Sequence, residues 1–294
     1  MLCRAMKIIT KKNLADVHQG ATITQMEISS PEIAKKALPG QFIALMVSEK
    51  GERIPLTIVE KTKDTITVIF QEAGLTTKLL GRLNAGDALY SLVGPLGRPT
   101  EIKNYTRVIL VGGGVGIAEI CPVAKALQEA GNHITTILGA RTKDLLILEK
   151  ELKDVSDEFY VTTDDGTYGK KGFVTDVLEE LLSHKLSPPQ ISAGPPQAET
   201  INYKLIYAVG PIPMMQRVAA VTKKFNVKTL VSLNALMVDA TGMCGCCRVT
   251  VGGTTRFSCV DGPEFDAHLV DWDELTKRNS IYLDKEKHIC ELYK

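Results

Sequence analysis

Short runs of β-forming residues fill the first hundred positions, at Thr22–Ile28, Gln41–Val47, Thr65–Phe70 and Ala88–Leu92, and Gly, Pro or Asp flanks them. Branched and aromatic side chains suit a pleated surface, and the flanking residues suit turns, so each run reads as a strand. Many short strands with turns between them predict an antiparallel β-barrel over residues 1–100. The pattern then changes. Over residues 101–230, strand-like runs at Arg107–Val111, His133–Leu138, Glu158–Thr162 and Lys204–Val209 are separated by stretches with helical spacing at Ile117–Ala130, Leu145–Lys153, Gly172–His184 and Pro213–Phe225. That alternation predicts an α/β domain with a parallel sheet covered on both faces. The Pro-, Ala-, Ser- and Gln-rich segment Leu186–Tyr203 reads as a surface insertion, and residues 231–294 form a small third domain that carries most of the cysteines.

Composition narrows the class. Of 294 residues, 44% are hydrophobic and 23% charged, which is ordinary for a soluble globular protein. The 35 basic and 34 acidic residues leave a net charge of +1, so neither a nucleic-acid nor a membrane partner is expected. The start, MLCRAMKIITKKN, lacks the apolar run of a secretory signal, Met6 is an alternative start, and a cytoplasmic location is expected. Of seven cysteines, Cys3, Cys121 and Cys290 stand apart, while Cys244, Cys246, Cys247 and Cys259 fall within sixteen residues. Such local clustering points to a metal site rather than to a disulfide framework.

The run Gly112-Gly113-Gly114-Val115-Gly116 follows a predicted strand and opens a predicted helix. Glycines there let a pyrophosphate approach the backbone, and the helix N-terminus offers N–H donors and a favourable dipole. Ile117 stands where the third glycine of the usual G-x-G-x-x-G spacing would fall, and a tight turn without ligand is the competing reading. Arg141 at the end of the next strand suits a 2′-phosphate or is a solvated charge, so NAD and NADP stay open. In the barrel region, Arg53-Ile54-Pro55-Leu56-Thr57 offers a guanidinium fork and a hydroxyl, and Gly74-Leu75-Thr76-Thr77 places a glycine and two hydroxyls at a strand-to-helix junction. Taken singly, each is simplest as turn chemistry, as is Gly94-Pro95-Leu96-Gly97.

The most specific local pattern is Asp239-x4-Cys244-x2-Cys247-x11-Cys259. It has the C-x4-C-x2-C…C spacing of plant-type [2Fe–2S] sites with a carboxylate in the first position. Cys246 is an alternative fourth ligand, and the four cysteines are also compatible with zinc or with a reduced structural role. The histidines, His18, His133, His184, His268 and His288, show no metal-ligand pairing. No G-x-S-x-G elbow or Cys–His signature supports hydrolysis. No residue is assigned as a general acid or base, since cofactors would carry the chemistry.

Together these residues resemble the ferredoxin–NADP reductase-like flavoproteins, along the length of the chain. Within them the chain resembles the small subunits of ferredoxin:NADP oxidoreductases (sulfide dehydrogenases), and the electron-transfer subunits of dihydroorotate dehydrogenases are similar in layout. The resemblance implies an FAD-binding barrel, a nicotinamide domain and a C-terminal [2Fe–2S] domain, with FAD, NAD(H) and the cluster as cofactors. It implies that Arg53, Pro55, Leu56 and Thr57 meet the flavin, and that Gly74, Thr76 and Thr77 hold its pyrophosphate. Gly112, Gly113, Gly114 and Gly116, with Asp165-Gly166-x-x-Gly169 and Gly210-Pro211-x-x-Met214, match the nicotinamide domain. Asp239, Cys244, Cys247 and Cys259 match the cluster ligands, and the aspartate favours the ferredoxin:NADP oxidoreductase branch, because the dihydroorotate branch carries cysteine there. Two features depart from the pattern: Ala208 replaces a cysteine common in relatives, and Cys246 is unusual in its loop. The implied partner is a larger flavin and iron–sulfur subunit in a heterodimer, with ferredoxin reached through it. The alternatives are a dihydroorotate dehydrogenase electron-transfer subunit and a zinc-bearing, nucleotide-binding regulatory subunit without redox turnover.

Overall fold

The computed structural model describes residues 6–15, 22–183 and 202–292. Cys3, His18 and His184 lie outside them, as does the expected insertion at Leu186–Tyr203 up to residue 201. The chain forms two compact units, residues 1–101 with 232–265 and 269–294, and residues 102–231 with 266–268.

The first unit opens with β1 (Ile8–Ala15), β2 (Ile23–Ser29), α1 (Pro31–Lys36), β3 (Phe42–Met46), β4 (Ile54–Thr57), β5 (Glu60–Lys61), β6 (Thr65–Gln71), α2 (Leu75–Arg82) and β7 (Ser91–Leu96). Two antiparallel sheets result, in the orders β1-β2-β6-β5 and β4-β3-β7. Met26 and Ile28 of β2, Ile43 and Leu45 of β3, and Ile66, Val68 and Phe70 of β6 meet in one core with Leu80 of α2. Each such side chain contributes roughly 1.5–3 kcal/mol through burial. The strand expected at Ala88–Leu92 forms at Ser91–Leu96 instead, and Ala88 makes only an isolated bridge to Lys7. Gly94, Pro95 and Leu96, expected in a turn, therefore lie in a strand. That strand is at a sheet edge, where the N–H missing from Pro95 leaves no central ladder bond unmade.

The second unit contains β8 (Arg107–Gly113), α3 (Gly116–Glu129), β9 (His133–Ala140), α4 (Glu149–Lys153), β10 (Glu158–Thr163), β11 (Lys170–Lys171), α5 (Val174–Leu182), β12 (Leu205–Val209), α6 (Ile212–Lys224) and β13 (Thr229–Ser232). The sheet order is β11-β10-β9-β8-β12-β13, with a later strand at its far edge. Val108, Ile109, Leu110 and Val111 of β8 are wholly buried, as a central parallel strand requires. The helix expected over Leu145–Lys153 is broken. A single 3₁₀ turn at Lys143–Leu145 precedes Leu148, which takes a left-handed φ of 53°, and only α4 is helical. Leu145, Ile147 and Leu152 are all buried, so the apolar spacing there reflects tertiary packing rather than one helical face.

The chain then returns through β14 (Arg248–Val251), β15 (Thr254–Phe257), β16 (Glu264–Asp266), α7 (Trp272–Asn279) and α8 (Leu283–Leu292). β14 and β15 make a hairpin whose two connecting residues, Gly252 and Gly253, have φ of 58° and 73°. A two-residue turn with positive φ at both positions matches the twist of the strands it joins. Asp271 caps α7 by accepting the Glu274 N–H at 2.9 Å. Among the described residues no helix is long and apolar enough to cross a membrane.

Candidate functional site

In the second unit the strand order reverses beside β8, with β9 on one side and β12 on the other. Loops leaving the carboxyl ends of strands at such a switch point diverge and leave a crevice for ligand. The glycine run is the loop after β8, and Gly210-Pro211 is the loop after β12. A Cβ on Gly116 would lie 2.5 Å from the Val209 carbonyl oxygen, and one on Gly112 would lie 3.0 Å from Ile117 Cα. These two glycines let α3 close against the sheet. Met214 fills the space over Gly113 and Gly210, and a Cβ on either would strike its thioether. Gly114 is different: its φ is +57° and nothing lies within 4 Å of where a Cβ would project. It is the point in the run open to a ligand, at the N-terminal entry to α3. Ala208 is fully buried in β12, so no thiol stands there.

Arg141 and Asp165 are exposed at the ends of the adjacent strands β9 and β10, where the Asp165 N–H donates to the Arg141 carbonyl at 3.3 Å. The Thr167 N–H and Oγ1 donate to Asp165 Oδ1 at 2.9 and 2.7 Å, and these bonds hold its carboxyl below the usual carboxylate range. Gly166 and Gly169, at φ of 78° and 64°, close this turn.

In the first unit, β4 pairs with β3 so that Pro55 faces Ala44, Leu56 faces Ile43 and Thr57 faces Phe42. Gly74 caps α2, with Thr77 Oγ1 accepting its N–H at 3.0 Å. The first turn of α2 has no acidic residue, and a Cβ on Gly74 would meet nothing within 4 Å. This open N-terminus fits an anion such as the FAD pyrophosphate. Thr76, buried, donates through Oγ1 to Glu52, so its hydroxyl is committed within the protein. Arg53 is committed too: Nη1 donates to Asp239 Oδ1 at 2.6 Å and to the Asp239 carbonyl at 3.1 Å.

The cysteine loop belongs to the same unit. Cys247 immediately precedes β14 and Cys259 follows β15, so the Gly-Gly hairpin returns one to the other. The Ser258 N–H donates to the Cys247 carbonyl at 3.0 Å, and the two buried sulfurs lie 3.2 Å apart. Thiolates on one tetrahedral metal lie about 3.7 Å apart, given bonds of about 2.3 Å. Burial, then the neighbouring Cys247 thiol, pushes Cys259 up to about 12. Cys244 is lowered instead, first by the Cys246 N–H and also by the Asp239 N–H. Burial, then the Cys244 thiol, raises Cys246, whose carbonyl accepts from Arg278 Nη2 at 2.8 Å. Ala240, Gly242 and Gly245 all take positive φ, which turns this stretch back on itself. Among the described residues no three His, Cys, Asp or Glu side chains converge on a single-ion position. The donors instead form pairs, Cys247 with Cys259 and Cys244 with Asp239 or Cys246. Two pairs fit a two-iron cluster, each iron taking two protein ligands, better than four ligands on one zinc.

Residues 234–271 match the iron–sulfur cluster binding domain of dihydroorotate dehydrogenase B, and residues 110–220 match the oxidoreductase NAD-binding domain. Over 262 residues the chain is 48% identical to a dihydroorotate dehydrogenase B (NAD(+)) electron transfer subunit homolog from Thermotoga maritima, covering 88% of this chain and 87% of that one. The chain belongs to the family of these electron-transfer subunits. A solved chain from the NADH-dependent reduced ferredoxin–NADP oxidoreductase, studied for flavin-based electron bifurcation, is 44% identical with a TM-score of 0.86, covering 98% of each. The ferredoxin–NADP+ reductase of Plasmodium falciparum, at 17% identity and a TM-score of 0.56, covers 74% of this chain and 88% of that one and shares the fold alone. As a member of the family the chain is an oxidoreductase subunit with an NAD-binding domain, an iron–sulfur domain and a ferredoxin–NADP reductase-like barrel for flavin.

The hairpin, the link between Arg53 and Asp239, and the Arg278 contact were not anticipated from the sequence. Gly252-Gly253 between β-forming runs was a usable hairpin signal, and Asp271-x-x-Glu274 a usable helix start. Nothing local foretold the arginine contacts, which join positions far apart in the chain.

Proposed function

We propose that this chain is the small subunit of a ferredoxin:NADP oxidoreductase, passing electrons between NAD(H), FAD and one [2Fe–2S] cluster toward a larger flavin and iron–sulfur subunit that deals with ferredoxin. The observation that carries this reading is Asp239 in the first position of the Asp239-x4-Cys244-x2-Cys247-x11-Cys259 spacing, where the resemblance implies cysteine for the dihydroorotate branch. Bound FAD would supply both hydride exchange with nicotinamide and single-electron exchange with the cluster. The protein supplies binding and orientation. Gly114 and the N-terminus of α3 receive the dinucleotide pyrophosphate, while Gly112, Gly113 and Gly116 let the sheet, α3 and α6 pack closely behind it. Gly210, Pro211 and Met214 form the opposite wall of the crevice. Arg141 and Asp165 sit at the next strand ends, and the Asp165 carboxylate, ionised at neutral pH, favours NAD(H) by repelling a 2′-phosphate. The N-terminus of α2, through Gly74 and the first-turn backbone N–H groups of Thr76 and Thr77, receives the FAD pyrophosphate, and Pro55, Leu56 and Thr57 of β4 flank the flavin. Asp239, Cys244, Cys247 and Cys259 hold the cluster, and the chain works in the cytoplasm.

An anaerobic absorption spectrum with iron and zinc analysis, taken before and after NADH, tests the core of this reading. Flavin bands, about two irons per chain and bleaching by NADH support it. A colourless, zinc-containing protein overturns it. The name of the Thermotoga maritima relative favours a second reading, the electron-transfer subunit of a dihydroorotate dehydrogenase. Recovery of the native partner separates the two: NAD reduction on adding dihydroorotate sinks the ferredoxin assignment, whereas reduced ferredoxin driving NADP reduction sustains it.

A further inference from the structure

Arg53 lies just before β4, in a segment whose resemblance points to flavin, yet among the described residues its guanidinium bonds Asp239. Nη1 reaches both the carboxylate and the backbone carbonyl of that residue, a two-point contact that fixes main chain and side chain together. Arg53 Nε is sealed from solvent and has no hydrogen-bond partner among the described residues. The other carboxylate oxygen, Asp239 Oδ2, accepts from Thr241 Oγ1. Each oxygen of an ionised carboxylate has a further lone pair to offer a metal. Asp239 is thus oriented by two donors, Arg53 and Thr241. A group that orients a metal ligand from behind also tunes the metal. A cation on a ligating carboxylate withdraws electron density from it, and the site then accepts an added electron more readily.

We propose that Arg53 is a positioning residue for the iron–sulfur cluster, holding the Asp239 carboxylate in its ligating orientation and raising the cluster's reduction potential. This rests on Asp239 being an iron ligand. The test is a dithionite redox titration of the purified, cluster-loaded full chain, followed by electron paramagnetic resonance and paired with iron analysis. Arg53→Gln is expected to keep its iron, to change the resonance of the reduced cluster, and to lower the potential by at least the equivalent of a tenfold change in the equilibrium, 59 mV for one electron. Arg53→Lys keeps the charge but loses the fork, and should recover part of that shift. In an Asp239→Cys background the same Arg53→Gln change should move the equilibrium less than about threefold, because the group through which it acts is gone. An unchanged potential in loaded Arg53→Gln, or an equal shift in both backgrounds, overturns the proposal. So does loss of iron from both Arg53 variants while circular dichroism stays native, since Arg53 would then only hold the loop. Absence of iron from the unaltered chain overturns the underlying functional reading instead.

Discussion

The glycine run at residues 112–116 and the cysteine loop at residues 239–247 are both turns built for a ligand, but they are held in opposite ways. The glycine run is fixed by what surrounds it. Gly112 and Gly113 are buried at the end of a fully buried strand, Gly116 is pressed against the Val209 carbonyl, and Met214 closes the far side. Only Gly114 faces open space. The cysteine loop has few apolar contacts of its own: Met243 is 89% exposed and Cys244 is exposed. Its shape comes from positive-φ residues and from side chains reaching in, Arg53 to Asp239 and Arg278 to the Cys246 carbonyl. Packing makes the first site. The second relies on polar contacts that a metal would reinforce, so binding free energy there doubles as folding free energy.

Removing a cluster ligand should therefore have the largest effect. Cys259→Ser leaves Cys247 without its partner in a buried pair, and iron is expected to fall from about two atoms per chain to near none. The loop should become protease-sensitive while NADH binding survives. Iron analysis and limited proteolysis check this, and a variant that loses nucleotide affinity along with iron would break the distinction between the loops.

The contrast also explains what the sequence revealed. The glycine run, the βαβα alternation and the cysteine spacing were legible because each rests on local chemistry: a turn that needs glycine, a strand buried on both faces, a ligand spacing. The strand at Ser91–Leu96 was displaced because edge position, a tertiary fact, makes Gly94 and Pro95 acceptable inside it. The broken helix near Leu148 was hidden because Leu145, Ile147 and Leu152 are buried without sharing one helical face. At the candidate sites, residue types were readable but commitments were not. Arg53 was expected at the flavin and its guanidinium bonds Asp239, and Thr76 was expected at the pyrophosphate and its hydroxyl bonds Glu52. Those partners sit far along the chain or in another element, where no spacing rule reaches.

Two substitutions within the glycine run sharpen the comparison further. Gly116→Ala places a methyl 2.5 Å from a backbone oxygen that cannot rotate away. Overpacking of this kind costs about 1–3 kcal/mol, so the chain should unfold at a lower denaturant concentration and α3 should shift. Gly114→Ala meets no atom, and its cost is the left-handed backbone alone, about 1–2 kcal/mol. Its added methyl projects into the open crevice, so NADH affinity is expected to fall about tenfold, or about 1.4 kcal/mol. Denaturant midpoints alongside NADH titrations separate the two. If Gly114→Ala proves the more destabilised protein with unaltered NADH affinity, packing does not build this site.

The smallest effect is expected at the turn after β10, which lies in the packed unit yet is held like the cysteine loop, by hydrogen bonds. Asp165 titrates below its ordinary value of 3.8 because Thr167 donates to it twice, the N–H first and the hydroxyl second. A carboxylate with a depressed pKa in the folded state contributes stability above its ordinary value. That contribution disappears as pH falls through the folded value. Thr167→Val removes the hydroxyl donor and keeps the N–H, so the Asp165 midpoint should rise part of the way back, seen as a shift in its carboxyl carbon resonance. Since Asp165 stays ionised across the neutral range in either form, NADH affinity at neutral pH should barely move, and discrimination against a 2′-phosphate should persist. An unchanged midpoint would mean that the charge of this turn is held by contacts other than its own. The turn would then belong with the packed glycine run rather than with the loop that waits on its ligand.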